Sequence, residues 1–317
     1  TVTVQAVYCS LSLLMGCWVK MGQIVVPDLT VPWMTSYAGP AFAVSRGDVL
    51  RLYVTGRDEF NQSRIGIVDT RIVDGRFEVL NVHSDPVFDL GEAGLFDESG
   101  VSYPWLVEHG ERVLMYYVGW VAGGRGRFQN YLGLAVSTDG GLSFERNSRL
   151  PLLDRTEEEP YGSGSCAVWV EDDGWHMIYT AFEPWQSTKS GLRHCYRLKE
   201  AESTNGFDWN RTGRTLIDFH DESEHVIGKP MVLRDANGLR VWYSYRGESY
   251  RIGYAESVDG QAFLRRDDLV GIDISVEGWD SEMIEYAFVC DHRDERYMFY
   301  NGNQYGLTGL GVARLDN

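Results

Sequence analysis

The chain has 317 residues, with 29 Lys plus Arg against 46 Asp plus Glu, a net charge of −17. So acidic a surface repels phosphate backbones, so no nucleic acid partner is expected, and 44% hydrophobic content marks a folded chain. Eighteen Tyr and ten Trp favour strands and sugar-like ligands over a helical bundle.

Residues 1–21 read as an N-terminal extension. Its apolar stretch, Val7 to Val19, is short of the roughly 20 residues a bilayer span needs, so no membrane partner is expected. No basic residue precedes that stretch, which argues against a secretory signal. The five cysteines (Cys9, Cys17, Cys166, Cys195 and Cys290) are odd in number and form no CxxC pair. That pattern predicts a reducing, cytoplasmic setting and neither a disulfide framework nor a zinc site.

Residues 22–317 read as one domain built from a repeat. An apolar strand runs into a polar turn five times: AFAVSRGD, WLVEHGER, AVWVEDDG, MVLRDANG and AFVCDHRD. An aromatic strand follows each: LRLYVTG at 50–56, VLMYYVGW at 113–120, WHMIYTAF at 175–182, RVWYSYRG at 240–247 and RYMFYNGN at 296–303. With Tyr53, Tyr117, Tyr179, Tyr243 and Tyr300 as markers, the steps are 64, 62, 64 and 57 residues. The middle three units continue into GLAVSTDGGLSF, EAESTNGFDW and GYAESVDGQAF, whose Asp-Gly and Asn-Gly pairs signal tight hairpins. Asp139, Asn205 and Asp259 are therefore read as turn residues. The expected fold is all-β: a five-bladed β-propeller of four-stranded antiparallel blades. Blade five lacks an outer strand, which Gly22 to Val26 is expected to supply.

In such a blade the start of strand one and the end of strand two share a face. Strand two is followed by Arg57 and Asp58, Trp120, Tyr245 and Arg246, then Asn301 and Asn303. Strand one is preceded by Asp97, Glu159, Glu224, Asp280, Glu282 and Glu285. Carboxylates that converge on a pocket are the tools of glycosidic chemistry: one donates a proton, the other activates water or attacks carbon. Trp and Tyr offer flat faces to the C–H surface of a sugar, and Arg grips anionic groups.

These phrases resemble the five-bladed propeller glycosidases: the arabinanase and β-xylosidase, invertase and levansucrase, and mannoside phosphorylase families. RIGYAESVDG at 251–260 and YLGLAVSTDGG at 131–141 carry the likeness across 22–315. RDEFNQSRIG, GLFDESGV, WDSEMIEY and YNGNQYG are similar to segments of uncharacterised bacterial proteins related to the invertase-like enzymes. The resemblance implies a carbohydrate-active enzyme. It departs from the family where an arabinanase-like enzyme carries its catalytic carboxylates: SYAGPAF at 36–42, GVSYPWL at 100–106 and GSGSCAV at 162–168 contain none.

The expected function is glycoside hydrolase-like chemistry on a small carbohydrate or sugar derivative in an acidic axial pocket. Asp97, Glu282 and Glu285 are the catalytic candidates. Arg57, Asp58, Trp120, Glu159, Glu224, Tyr245, Arg246, Asp280, Asn301 and Asn303 are the binding candidates. The alternatives are a non-catalytic sugar-binding propeller, or a transferase or isomerase on the same scaffold. No motif for a metal, nucleotide or dinucleotide is present, so no cofactor is expected, and a structural Ca²⁺ is encoded by no spacing. His225 is read as a surface histidine.

Overall fold

The computed structural model describes residues 16–189 and 191–316. Strand β1 (Cys17–Val25) runs across residue 21, where the expected extension ends. Residues 1–15 of the expected extension lie outside the described residues.

Four-stranded antiparallel groups follow in chain order. The first is β2 (Tyr37–Arg46), β3 (Val49–Arg57), β4 (Ser63–Val73) and β5 (Arg76–Val82). The second is β6 (Gly100–His109), β7 (Arg112–Ala122), β8 (Phe128–Ser137) and β9 (Glu145–Arg146). The third is β10 (Ser163–Glu171), β11 (Gly174–Thr188), β12 (Gly191–Ser203) and β13 (Asn210–Ile217). The fourth is β14 (Val226–Asp235), β15 (Gly238–Arg246), β16 (Tyr250–Ser257) and β17 (Leu264–Arg265). The last is β18 (Glu285–His292), β19 (Glu295–Asn301) and β20 (Leu310–Asp316), and β1 pairs with β20 to complete it. One parallel bridge, Ser63 to Gly100, joins the first two groups into an eight-stranded sheet. Tyr196 to Val226 joins the third and fourth in the same way. No α-helix occurs among the described residues.

Local chemistry explains the turns. In Ser137–Gly141 the Ser137 hydroxyl accepts from the Gly141 N–H (2.9 Å), while Asp139 accepts from the Leu142 and Ser143 N–H groups. Ser203 with Asn205, and Ser257 with Asp259, repeat the arrangement. These side chains satisfy backbone donors that the hairpin leaves open.

A second device repeats in four groups. A strand-two tyrosine donates to a carboxylate, which comes from the preceding segment in three of the groups, and an outer-strand cation pairs with that set. Tyr117 donates to Asp97 (3.0 Å), which pairs with Arg146 of β9 (2.7 Å). Tyr179 donates to Glu159 (2.9 Å), which pairs with Arg211 of β13 (3.0 Å) and Lys199 (3.2 Å). Tyr300 donates to Asp280 (3.0 Å), which pairs with Lys20 of β1 (2.6 Å). In the fourth group Tyr243 donates to Asp267 (2.6 Å), and Arg265 of β17 bridges Asp267 and Glu224. The first group lacks the device. There Val54 takes the tyrosine position and Met34 the carboxylate position, both apolar and buried. Register shows why. Gly56 abuts Trp33 and Met34 as Gly119 abuts Phe96 and Asp97, so Val54 corresponds to Tyr117. The Tyr53 marker is thus one residue out of phase.

Candidate functional site

The entrances of the inner strands are tied to neighbouring groups. All five inner strands are bulged near the start, three of them between Ser102 and Trp105, Gly228 and Met231, and Glu285 and Phe288. At those bulges Tyr103, Lys229 and Tyr286 have φ of 54°, 48° and 60°. Side chains rarely adopt that left-handed region, so something must hold it. A hydroxyl from the preceding group does so: Thr55 accepts from the Tyr103 N–H (3.1 Å), Thr180 from Lys229 (3.2 Å) and Ser244 from Tyr286 (2.8 Å).

All three side chains line one cavity of about 440 Å³. Among the described residues ten non-glycines have positive φ, and six line this cavity: Asn61, Tyr103, Arg127, Lys229, Tyr286 and Tyr305. Strained backbone concentrates where side chains must be aimed. One wall is tyrosine: Tyr103 meets Tyr286 edge-on (centroids 5.2 Å), and Tyr250 meets Tyr305 (5.7 Å). Elsewhere in the lining Phe182 stacks on Tyr196 (4.3 Å) and Tyr196 on His194 (4.7 Å). Arg57 lies over the rings of Tyr37 and Trp120, at 5.0 and 5.6 Å.

The lining contains Arg57, Arg127, Lys229 and His194 but neither Asp nor Glu. The expectation of an acidic pocket is therefore corrected. In a chain of net charge −17, this cavity is cationic and aromatic. Burial pulls the Lys229 ammonium down to about 7. Burial, then the neighbouring His225 and Arg246, hold His194 down to about 4. Burial pushes the Tyr103 hydroxyl up to about 12, so it remains a donor at any physiological pH.

Of the sequence candidates, Arg57 and Trp120 line the cavity, and the Trp120 indole N–H donates to Ser63 (2.8 Å). Arg246 stands behind the wall, over Tyr250 (5.2 Å) and donating to the Tyr305 hydroxyl (2.9 Å). Glu285 opens β18 beside Tyr286, fully buried, and neither of its oxygens has a hydrogen-bond partner of normal geometry. Burial raises its carboxyl well above the usual range, against the opposing pull of Arg246.

The remaining candidates lie outside the lining. Asp97, Glu159, Glu224 and Asp280 are taken up in the ion pairs above, which draws them toward the outer strands. Asp97 and Glu285 therefore share no cavity lining. Asp58 accepts from the Phe60 and Gln62 N–H groups and pairs with Arg64 (2.7 Å), ordering its own loop. Glu282 is exposed. Tyr245 lies under Arg265 (5.1 Å). Asn301 donates to the Ala38 and Gly309 carbonyls, and Asn303 accepts from the Glu282 and Met283 N–H groups. His225 is buried, with its ring 6.0 Å from His194, where a surface position was expected. Sequence reasoning missed Tyr103, Lys229 and Tyr286. Lys229 carried a signal, as the lone charge in the apolar run VIGKPMVL.

No protein-family model matches the chain. It is 36% identical over 303 residues to the uncharacterised protein Rv1502 of Mycobacterium tuberculosis strain H37Rv, covering 95% of this chain and 99% of that one. The chain belongs to the family of Rv1502. It is also 27% identical over 134 residues to a 1,2-β-oligomannan phosphorylase of Thermoanaerobacter sp. strain X514, covering 38% of this chain and 43% of that protein. Its fold is similar to a structure described as a glycoside hydrolase, with TM-score 0.73 and 16% identity over 96% and 93% of the two chains. A structure from work on the GH130 mannoside phosphorylases, a family containing glycoside hydrolases that target β-1,2 mannosidic linkages in Candida mannan, gives TM-score 0.70 at 14% identity over 95% and 94%. A thermostable family-43 glycoside hydrolase gives 0.65 at 15% over 93% of both chains. The chain thus has the β-propeller fold of these glycoside hydrolases and phosphorylases.

Proposed function

We propose that this protein is a glycosidase-like, carbohydrate-active enzyme whose five four-stranded groups are blades around an axial pocket. The lining of the cavity carries this reading: aromatic walls and cations and no Asp or Glu, with the buried carboxyl of Glu285, raised above its usual range, next to Tyr286. A sugar ring stacks between the Tyr103–Tyr286 and Phe182–Tyr196 pairs. Arg57 and Arg127 hold an anionic group at the mouth. Glu285, whose carboxyl burial raises well above the usual range, supplies the proton for the leaving oxygen through the tyrosine hydroxyls around it.

Two-carboxylate hydrolysis needs a second, ionised carboxylate near the sugar. The lining offers none, so a reactant bringing its own negative charge fits better, with inorganic phosphate the simplest. The partial similarity to an oligomannan phosphorylase supports that choice. The test is turnover of a panel of β-linked disaccharides with and without phosphate, in wild type and Glu285→Gln. Phosphate-dependent release of a sugar phosphate, lost in Glu285→Gln with binding retained, is expected. Binding without turnover in either protein would favour the non-catalytic sugar-binding propeller.

A further inference from the structure

We infer that Lys229 is a nucleophilic amine, which condenses reversibly with the aldehyde of an open-chain reducing sugar to form an imine. The inference rests on the cavity being a sugar site.

The first support is placement. Lys229 lines the cavity from a left-handed bulge whose N–H is captured by Thr180, which holds the backbone that carries its side chain. The residue is 7% exposed, and Nζ donates to the Ala287 carbonyl (2.9 Å) and lies 5.8 Å from the Phe288 ring centre. Among the described residues no carboxylate lies within ion-pair reach of it. The cavity lining has none either, so nothing anionic pins the amine in its charged form.

The second support is a choice of residue. The chain contains four lysines, Lys20, Lys189, Lys199 and Lys229, and otherwise uses arginine. Lys20 and Lys199 pair with the buried carboxylates Asp280 and Glu159, and Lys189 is exposed. An arginine at position 229 could bind an anion better but could never lose its proton. Burial pulls the Lys229 ammonium down to about 7, the direction that frees a lone pair at neutral pH.

The step balances without an oxidant or reductant. The Nζ lone pair forms the C–N bond as the carbonyl π pair moves to oxygen. Proton transfer from nitrogen to that oxygen gives a carbinolamine. Loss of water then leaves the imine. Ser165 and Thr180, both in the lining, are placed to hold the hydroxyl of the carbinolamine.

The test uses the intact protein with D-glyceraldehyde and cyanoborohydride at pH 7, followed by peptide mapping. About half of an amine titrating near 7 is neutral there, against on the order of one in a thousand for an ordinary lysine. Lys229 should therefore be labelled at least tenfold faster than the exposed Lys189. Faster labelling of Lys189 would overturn the inference. So would failure of ¹³C-formaldehyde, which is small enough to enter, to methylate Lys229, or a methylated Lys229 titrating in the ordinary lysine range. Thr180→Val should slow the labelling and Thr180→Ser restore it, which a merely structural hydroxyl would not do at constant folding. If sugar binding persists while Lys229 proves inert, this inference fails and the sugar site stands. Loss of sugar binding would count against the site itself.

Discussion

Asp97 and Glu285 are both carboxylates with no exposed surface, and their surroundings are opposite. Asp97 accepts from Tyr117 and pairs with Arg146 at 2.7 Å. Glu285 has neither a cation in ion-pair contact nor a normal hydrogen bond. The first is a charge that holds an outer strand to the body of its group. The second is a carboxyl that burial pushes well above its usual range, beside an aromatic cavity. Burial alone therefore does not distinguish a structural acid from a reactive one; the partners do.

The largest effect should come from breaking the outer set. Arg146→Ala leaves Asp97 buried without its cation and should destabilise the protein by about 3–5 kcal/mol, read from urea unfolding. A loss below about 1 kcal/mol would mean that Asp97 is not held as a charge. Thr55→Val leaves the Tyr103 N–H without its acceptor, at a cost of about 1–3 kcal/mol, with Thr55→Ser near wild type.

The two kinds of site were unequally legible. The strand period was plain in the sequence, because alternation and Asp-Gly turns are local. Arg57 and Trp120 were found because strand ends map onto one face. Asp97 and Asp280 were read as pocket residues because their partners are remote: Asp97 meets Arg146 across 49 positions and Asp280 meets Lys20 across 260. A segment rich in acids looks the same whether a distant cation neutralises it or not. Tyr103, Lys229 and Tyr286 were missed because a bulge, not alternation, turns them into the cavity.

Smaller effects sharpen the contrast inside the cavity. Arg57→Ala should weaken binding of an anionic sugar about tenfold and leave a neutral sugar nearly unchanged, as read by calorimetry. Stability should rise with pH from about 7 toward the ordinary lysine range. There the unfolded chain holds a proton that buried Lys229 has released, and the limit is about 1.4 kcal/mol per pH unit. Lys229→Met should flatten that rise. Glu285 works the other way: its raised value makes the folded state the tighter proton holder, so its stabilising contribution falls as pH climbs above the ordinary carboxylate range. Glu285→Gln should remove that fall and shift overall stability by less than about 1 kcal/mol.

The most direct test of the central claim is a crystal structure with a sugar 1-phosphate. The ring should lie between the Tyr103–Tyr286 and Phe182–Tyr196 pairs, with the phosphate on Arg57 and Arg127. A ring bound instead among Asp97, Glu159 and Asp280, with the aromatic cavity empty, would contradict the account.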